Sequence, residues 1–230
     1  MEQKIVKRYA IVVAGGKGIR MGTAVPKQFL LLSGKPLLMH TLEVFYNTDP
    51  EIELILVLPE DQQEYWKVLC TQYHFNLPHL IVNGGDTRFE SVANGLALIQ
   101  NEGLVAVHDG VRPFINTAFI QECYQAAEEF GTAIPVTELT ESIRRLEGET
   151  SFSMHRETFR SVQTPQTFRT EILKKSYNTP YQESFTDDAS VVEASGFKVN
   201  LIKGLMENIK ITNTIDLLLA EQMIKSNPGL

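Results

Sequence analysis

The chain reads as short apolar runs alternating with stretches of helical period. Ala10 to Ala14 is a brief, β-branched apolar run, the pattern of a strand buried on both faces. Pro36, at a helix N1 position, opens a helix with Leu38, Leu42 and Phe45 on one face. Ile52 to Leu58 predicts a strand closed by Pro59, and Trp66, Leu69, Cys70 and Tyr73 mark a second amphipathic helix. Leu80 to Val82 predicts a strand running into Gly84-Gly85-Asp86, followed by a helix through Phe89, Val92, Leu96 and Ile99. Leu104 to Val107 predicts a strand ending in His108-Asp109. Asn116 or Thr117 then caps a helix through Ile120, Cys123 and Ala127, Gly131 stops it, and Ala133 to Val136 returns as a strand. Strands alternating with helices imply an α/β fold with a largely parallel, doubly wound sheet. In such sheets ligands lie beyond the carboxyl ends of the strands, where Gly15, Gly85 and Asp109 all fall.

The alternation breaks between Thr137 and Phe168. Ser142 to Leu146, a turn at Glu147-Gly148, and Ser151 to His155 read as a hairpin outside any βαβ unit, either a surface flap or an arm reaching a partner subunit. It resumes with a helix near Asp187 to Ser195 stopped by Gly196, and a strand from Phe197 to Ile202. Asn208 to Ile211, containing Lys210, predicts a last strand, and Asn213 and Asp216 start a final helix. With no repeats or linkers, residues 1–230 are expected to form one domain, with the β-arm at about 138–162.

Charge changes this picture at one end. The net charge is −7, which argues against a nucleic-acid partner. Residues 1–35, however, hold seven Lys or Arg against one acid, Glu2. Three of the seven, Lys17, Arg20 and Lys27, lie in a stretch with Gly15, Gly16, Gly18 and Gly22 between the first strand and its helix. An aperiodic connection of about twenty residues is long for an α/β unit and points to function. Glycines let a backbone turn its N–H groups onto a ligand, and cations match a polyphosphate, so this stretch reads as a triphosphate-binding loop. Cys70 and Cys123, both on expected helices, read as free thiols of a cytoplasmic protein. The apolar part of the N-terminal segment is too short for a secretion signal, and no stretch is long enough to span a bilayer.

The loop is not a Walker P-loop, because no Gly-Lys-Ser/Thr closes a glycine frame. It also lacks the dinucleotide fingerprint: Met21 stands where the third glycine belongs, and no ribose-binding acid follows about twenty residues on. An oxidoreductase using a dinucleotide is therefore disfavoured. Joining a nucleoside triphosphate to a second phosphate requires backbone donors, cations around the reacting phosphorus, and a carboxylate for Mg²⁺. Magnesium takes mostly waters and phosphate oxygens, so one strand-end aspartate suffices, and Asp109 fits. His108 reads as a core residue.

Several stretches in register carry a resemblance. They are Ala14-Gly-Gly-x-Gly18-x-Arg20-Met21-Gly22, Pro26-Lys27-Gln28, Gly84-Gly85-Asp86 with Ser91, His108-Asp109-x-x-Arg112-Pro113, Thr164-Pro165-Gln166, Thr186-Asp187 and Asn208-Ile209-Lys210. Together, from about Tyr9 to Ile224, the chain resembles the 2-C-methyl-D-erythritol 4-phosphate cytidylyltransferases of isoprenoid synthesis. The resemblance implies a Rossmann-like, mostly parallel sheet of the nucleotide-diphospho-sugar transferase type with a protruding β-arm, a homodimer, and CTP with Mg²⁺. It assigns CTP binding to Ala14, Gly15, Gly16, Gly18, Gly85, Asp86 and Ser91. Arg20, Lys27 and Lys210 match its catalytic cations, and Asp109 its Mg²⁺-linked carboxylate. The acceptor would meet Asp109, Arg112, Thr164 and Thr186, with Ser142 and Arg156 reaching over from the partner's arm.

The chain departs from the family where Ala14-Gly15-Gly16 replaces Ala-Ala-Gly and Asp109-Gly110-Val111-Arg112 replaces Asp-Ala-Ala-Arg. Both variants also look like ribitol 5-phosphate cytidylyltransferases, the alternative reading, whereas Thr186-Asp187-Asp188-Ala189-Ser190 is closer to the methylerythritol branch.

Overall fold

A computed structural model describes residues 6–15 and 25–226. Its centre is β1 (Arg8–Val13), flanked in parallel by β4 (Glu53–Leu58) and β6 (Leu104–Asp109). On the β4 side β5 (Leu80–Asn83) extends the sheet, again in parallel. Side chains along these strands alternate with the two-residue period of a pleated sheet. Ala10 and Val12, Leu54 and Leu56, and Leu104 and Ala106 join one buried layer with α1 (Leu37–Thr48) and α4 (Thr117–Phe130). Tyr9 and Ile11, Ile55 and Val57, and Val105 and Val107 join the opposite layer with α3 (Arg88–Ala97), α5 (Thr170–Ser176) and α6 (Asp188–Ala194). The near-continuous apolar strands thus reflect burial on both faces. The remaining helices are α2 (Glu60–Gln72), packed through Trp66 and Leu69, and α7 (Thr214–Ser226). Gly131 ends α4 in the left-handed region at φ 87°, which a glycine enters without steric cost.

Beyond β6 the sheet departs from pure parallel order. β11 (Gln166–Arg169) runs antiparallel between β6 and β7 (Thr132–Glu138). β10 (Arg160–Val162) continues antiparallel along β7, with Val162 opposite Val136. The arm is shorter than the expected 138–162. Its hairpin comprises β8 (Ile143–Glu147) and β9 (Thr150–Met154), and residues either side of it pair within the main sheet.

Two expected strands are corrected. The stretch expected at Phe197 to Ile202 is reduced to β12 (Leu201–Lys203), which pairs in parallel with β7. Asn208 to Ile211 forms no strand: Ile211 N–H donates to Val111 O at 3.0 Å, but the buried Asn208 is held through its side chain instead of a ladder. A small hairpin, β2 (Leu31–Leu32) with β3 (Lys35–Pro36), precedes α1. Cys70 and Cys123 are free, on α2 and α4. Among the described residues no helix is long and apolar enough to cross a membrane.

Candidate active site

The carboxyl ends of β1, β5 and β6 open onto one cleft of about 220 Å³, lined by Ala14, Gly15, Lys27, Gly85, Ser91, Asp109 and Lys210 among others. Seven residues singled out from sequence therefore converge there, from positions as distant as 14 and 210. A second cleft shares Gly15 and Gly85 and is lined by Asp86 and Glu90, so it continues the first past the end of β5. Gly16, Gly18 and Arg20 lie outside the described residues.

One wall of the cleft is built around the start of α3. Thr87 caps this helix: its side chain accepts from Glu90 N–H at 3.1 Å, and Thr87 N–H donates to Glu90 Oε2 at 3.0 Å. Gly85 precedes the cap so tightly that a Cβ there would lie 2.3 Å from Glu90 Cβ. Only glycine permits this approach. Gly85 N–H donates to Ser91 Oγ at 3.1 Å, and Ser91 Oγ donates to Thr87 O at 2.9 Å. The helix N-terminus and its capping loop thus face a cleft that already carries cations, an arrangement suited to phosphate. Across it, Gln28 Nε2 donates to Ala14 O at 2.7 Å and ties the strand β1 end to the turn that carries Lys27.

Asp109 anchors a second wall. Lys210 Nζ and Arg112 Nε each lie 3.1 Å from its Oδ2. Burial pushes the Asp109 carboxyl up, but Lys210, Arg88 and Arg112 outweigh this and hold it well below the usual carboxylate range. It is an anion at any physiological pH. Asp109 N–H donates to Thr164 Oγ1 at 3.1 Å, and Thr164 Oγ1 lies 3.0 Å from His108 Nδ1. His108 Nε2 lies 3.2 Å from the Arg112 carbonyl, which can only accept, so the proton resides on Nε2 and Nδ1 accepts from Thr164. Burial drives the His108 pKa down to about 4 and keeps the ring neutral. His108 is thus a core residue, as expected, that orients Thr164. Arg112 Nη1 also donates to Asn208 O at 2.8 Å, while Asn208 Nδ2 donates to Thr164 O at 2.7 Å. Three remote segments therefore meet at Asp109.

A divalent cation can be tested against this donor set. Among the described residues no group of three or more His, Cys, Asp or Glu side chains could enclose a metal. The single carboxylate of Asp109, with both its ion pairs on Oδ2, suits an ion that draws most ligands from phosphate and water. Magnesium fits on those terms.

The remaining expected residues stand apart. Thr186 is exposed beside Asp187, the N-cap of α6, whose carboxylate accepts from Gln166 Nε2 at 2.7 Å. Ser142 and Arg156 are exposed at the base of the arm, where Arg156 Nη1 donates to Thr140 O. Neither lines the cleft of its own chain. Sequence reasoning passed over Arg88, which lines the cleft and pairs with Asp188 at 2.6 Å. Its place between Asp86 and Ser91 was a usable signal. The departure at Gly110 has a packing cause: a Cβ there would meet Leu38 Cδ1 at 2.9 Å and Ala14 Cβ at 3.1 Å. It faces the core.

Residues 8–226 match the family IspD, 2-C-methyl-D-erythritol 4-phosphate cytidylyltransferase. A protein of that name from Bacteroides thetaiotaomicron is 51% identical over 219 residues, spanning 95% of this chain and 100% of the relative. Its namesake from Phocaeicola vulgatus is 52% identical over the same length and shares. Among solved structures, the cytidylyltransferase from Thermus thermophilus superposes with a TM-score of 0.77 at 31% identity, covering 95% of this chain and 99% of that one. The 4-diphosphocytidyl-2C-methyl-D-erythritol synthase from Anaerococcus prevotii gives 0.80 at 26% identity, covering 96% and 99%. These matches favour the methylerythritol branch over the ribitol one. The chain belongs to the 2-C-methyl-D-erythritol 4-phosphate cytidylyltransferase family.

Proposed function

We propose that this protein transfers CMP from CTP to 2-C-methyl-D-erythritol 4-phosphate, giving 4-CDP-2-C-methyl-D-erythritol and pyrophosphate in the non-mevalonate route to isoprenoid precursors. The observation that carries the reading is the convergence of Lys27, Lys210 and Asp109 with Gly85 and Ser91 in one cleft at the strand ends. The acceptor phosphate attacks the α-phosphorus of CTP in line, forming a new P–O bond as the bond to pyrophosphate breaks. The nucleophile is already an anion, so no general base is needed; the barrier is repulsion between two anions. Lys27, Lys210 and Arg20 offset it and stabilise the charge of the transition state. Gly15 and the capped start of α3 supply N–H donors to the triphosphate, with Ala14, Gly85, Asp86 and Ser91 completing the CTP subsite; the family resemblance assigns Gly16 and Gly18, outside the described residues, to it as well. Arg112 and Thr186 hold the acceptor, and Thr164, whose hydroxyl is engaged by His108 and Asp109, positions Asp109. Asp109 would hold Mg²⁺, which when bound would neutralise phosphate charge.

We place the arm against a second copy in a cytoplasmic homodimer, so that Ser142 and Arg156 complete the partner's cleft. Apolar side chains on this end of the molecule support the assignment: Leu146, Phe152 and Phe159 on and beside the arm, and Leu201 and Met206 beside β7, are all exposed. Incubation with CTP and methylerythritol phosphate, followed by ³¹P spectroscopy, should show the coupled pair of diphosphate signals of a CDP-alcohol. Unchanged CTP would refute the reading.

A further inference from the structure

Arg88 lines the same cleft as Asp109 and Lys210. It is the first residue of α3, following the Gly84-Gly85-Asp86 turn, yet its partner lies 100 residues away. Arg88 Nη2 donates to Asp188 Oδ2 at 2.6 Å, and the Tyr177 hydroxyl donates to Asp188 Oδ1 at 2.7 Å. The Asp188 side chain is 0% exposed, whereas that of Arg88 is 28% exposed and lines the cleft. Phe89, the next residue, stacks on Tyr177 with ring centroids 4.6 Å apart and on Phe185 at 5.8 Å. The segment leading to Thr186 and Asp187 is thereby fastened to α3. Removing Asp188 from water is costly unless it stays paired, so the guanidinium is pinned at one end. Among the described residues this is the only hydrogen bond of the Arg88 side chain, so four of its five N–H groups are not spent on them. It also lies close enough to Asp109 to help hold that carboxyl ionised.

We propose that Arg88 is a further substrate-contacting residue, which meets the acceptor's phosphate with the donors it does not spend on Asp188. Asp188 and Tyr177 are its positioning residues. The inference rests on the cytidylyltransferase reading and adds a cation to it. A planar fork fixed at one edge presents its other edge in a set direction, which suits a tetrahedral phosphate better than a point charge does. A brace between α3 and α6 would need only the charge.

The test uses the full chain and compares wild type, R88K and Y177F. Binding of methylerythritol phosphate and of CTP is measured by calorimetry, turnover by pyrophosphate release, and folding by thermal melting. R88K keeps a charge for Asp188 and loses the fork. We expect its acceptor affinity and acceptor kcat/KM to fall about tenfold or more, with CTP binding and Tm nearly unchanged. Y177F should raise the acceptor KM severalfold and leave kcat close to wild type. Acceptor binding by R88K within threefold of a wild type that turns over would overturn the inference alone. So would a loss in R88K matched by equal losses in CTP affinity and Tm, since that marks a brace. A wild type that neither binds the acceptor nor releases pyrophosphate would overturn the functional reading as well.

Discussion

Replacing Lys210 by methionine isolates the charge proposed to act on the reacting phosphate. Lys210 Nζ sits 3.1 Å from Asp109 Oδ2 and lines the cleft with Lys27. A cation about 4 Å from a unit of phosphate charge gains roughly 4 kcal/mol at an effective dielectric near 20. The Lys210 side chain is 41% exposed, so solvent screens a good part of this. About 2–3 kcal/mol survives for the transition state, which corresponds to roughly a 30- to 160-fold fall in rate. Asp109 keeps Arg112 at 3.1 Å, so it stays ionised and the fold should hold. The assay is CTP-dependent pyrophosphate release, with kcat and KM for each substrate resolved and a melting curve for each variant. K210M should lose most of its activity in kcat, with Tm within a few degrees of wild type, and K210R should recover part of the loss. A K210M enzyme within threefold of wild type in kcat/KM would show that Lys210 pairs with Asp109 only for structure, and the electrostatic argument would fail.

Two further outcomes follow. His108 is neutral in the fold with a pKa near 4 and ordinary, near 6.5, once unfolded, so the unfolded chain takes up its proton first. Its contribution is complete above pH 6.5 and drains away as pH falls towards 4; urea unfolding at pH 4.5 should show about 2–3 kcal/mol less stability than at pH 7.5. Equal stabilities at the two pH values would contradict a buried neutral ring. The shared-site arrangement predicts that K27A and R156A, each at least about a hundredfold impaired alone, recover activity when mixed. A mixture no more active than its parts would return Arg156 to a purely local role.

What could be read from the chain depended on the range of the forces involved. The apolar strands were legible because both faces of β1, β4 and β6 are buried, which leaves unbroken Val, Ile and Leu runs. The position of Asp109 beside Gly15 followed from topology, since parallel strand ends meet. β11 was not legible: it is short, and its buried Gln166 and Thr167 look like loop residues. Gln166 is at home there only because Asp187 and Ala189 N–H satisfy its amide from another element. The false strand at Asn208 to Ile211 fails for the same reason. Asn208 is buried to bond Thr164, not to join a ladder. Arg88 had a local signal in its place between Asp86 and Ser91, but its partners Asp188 and Tyr177 are announced by no local pattern. The cleft's Gly, Lys and Asp residues were recognisable by type, while the partners that hold them in place were visible only in three dimensions.

The most direct test is a single comparison of acceptors. Purified enzyme is supplied with CTP and Mg²⁺, and pyrophosphate release is followed with methylerythritol 4-phosphate and, separately, with ribitol 5-phosphate. The account predicts turnover with the first at a kcat/KM at least about a hundredfold above the second, the discrimination expected when polar groups of a site are matched by one acceptor and left unpaired by the other. Equal turnover, or turnover with ribitol 5-phosphate alone, would contradict it.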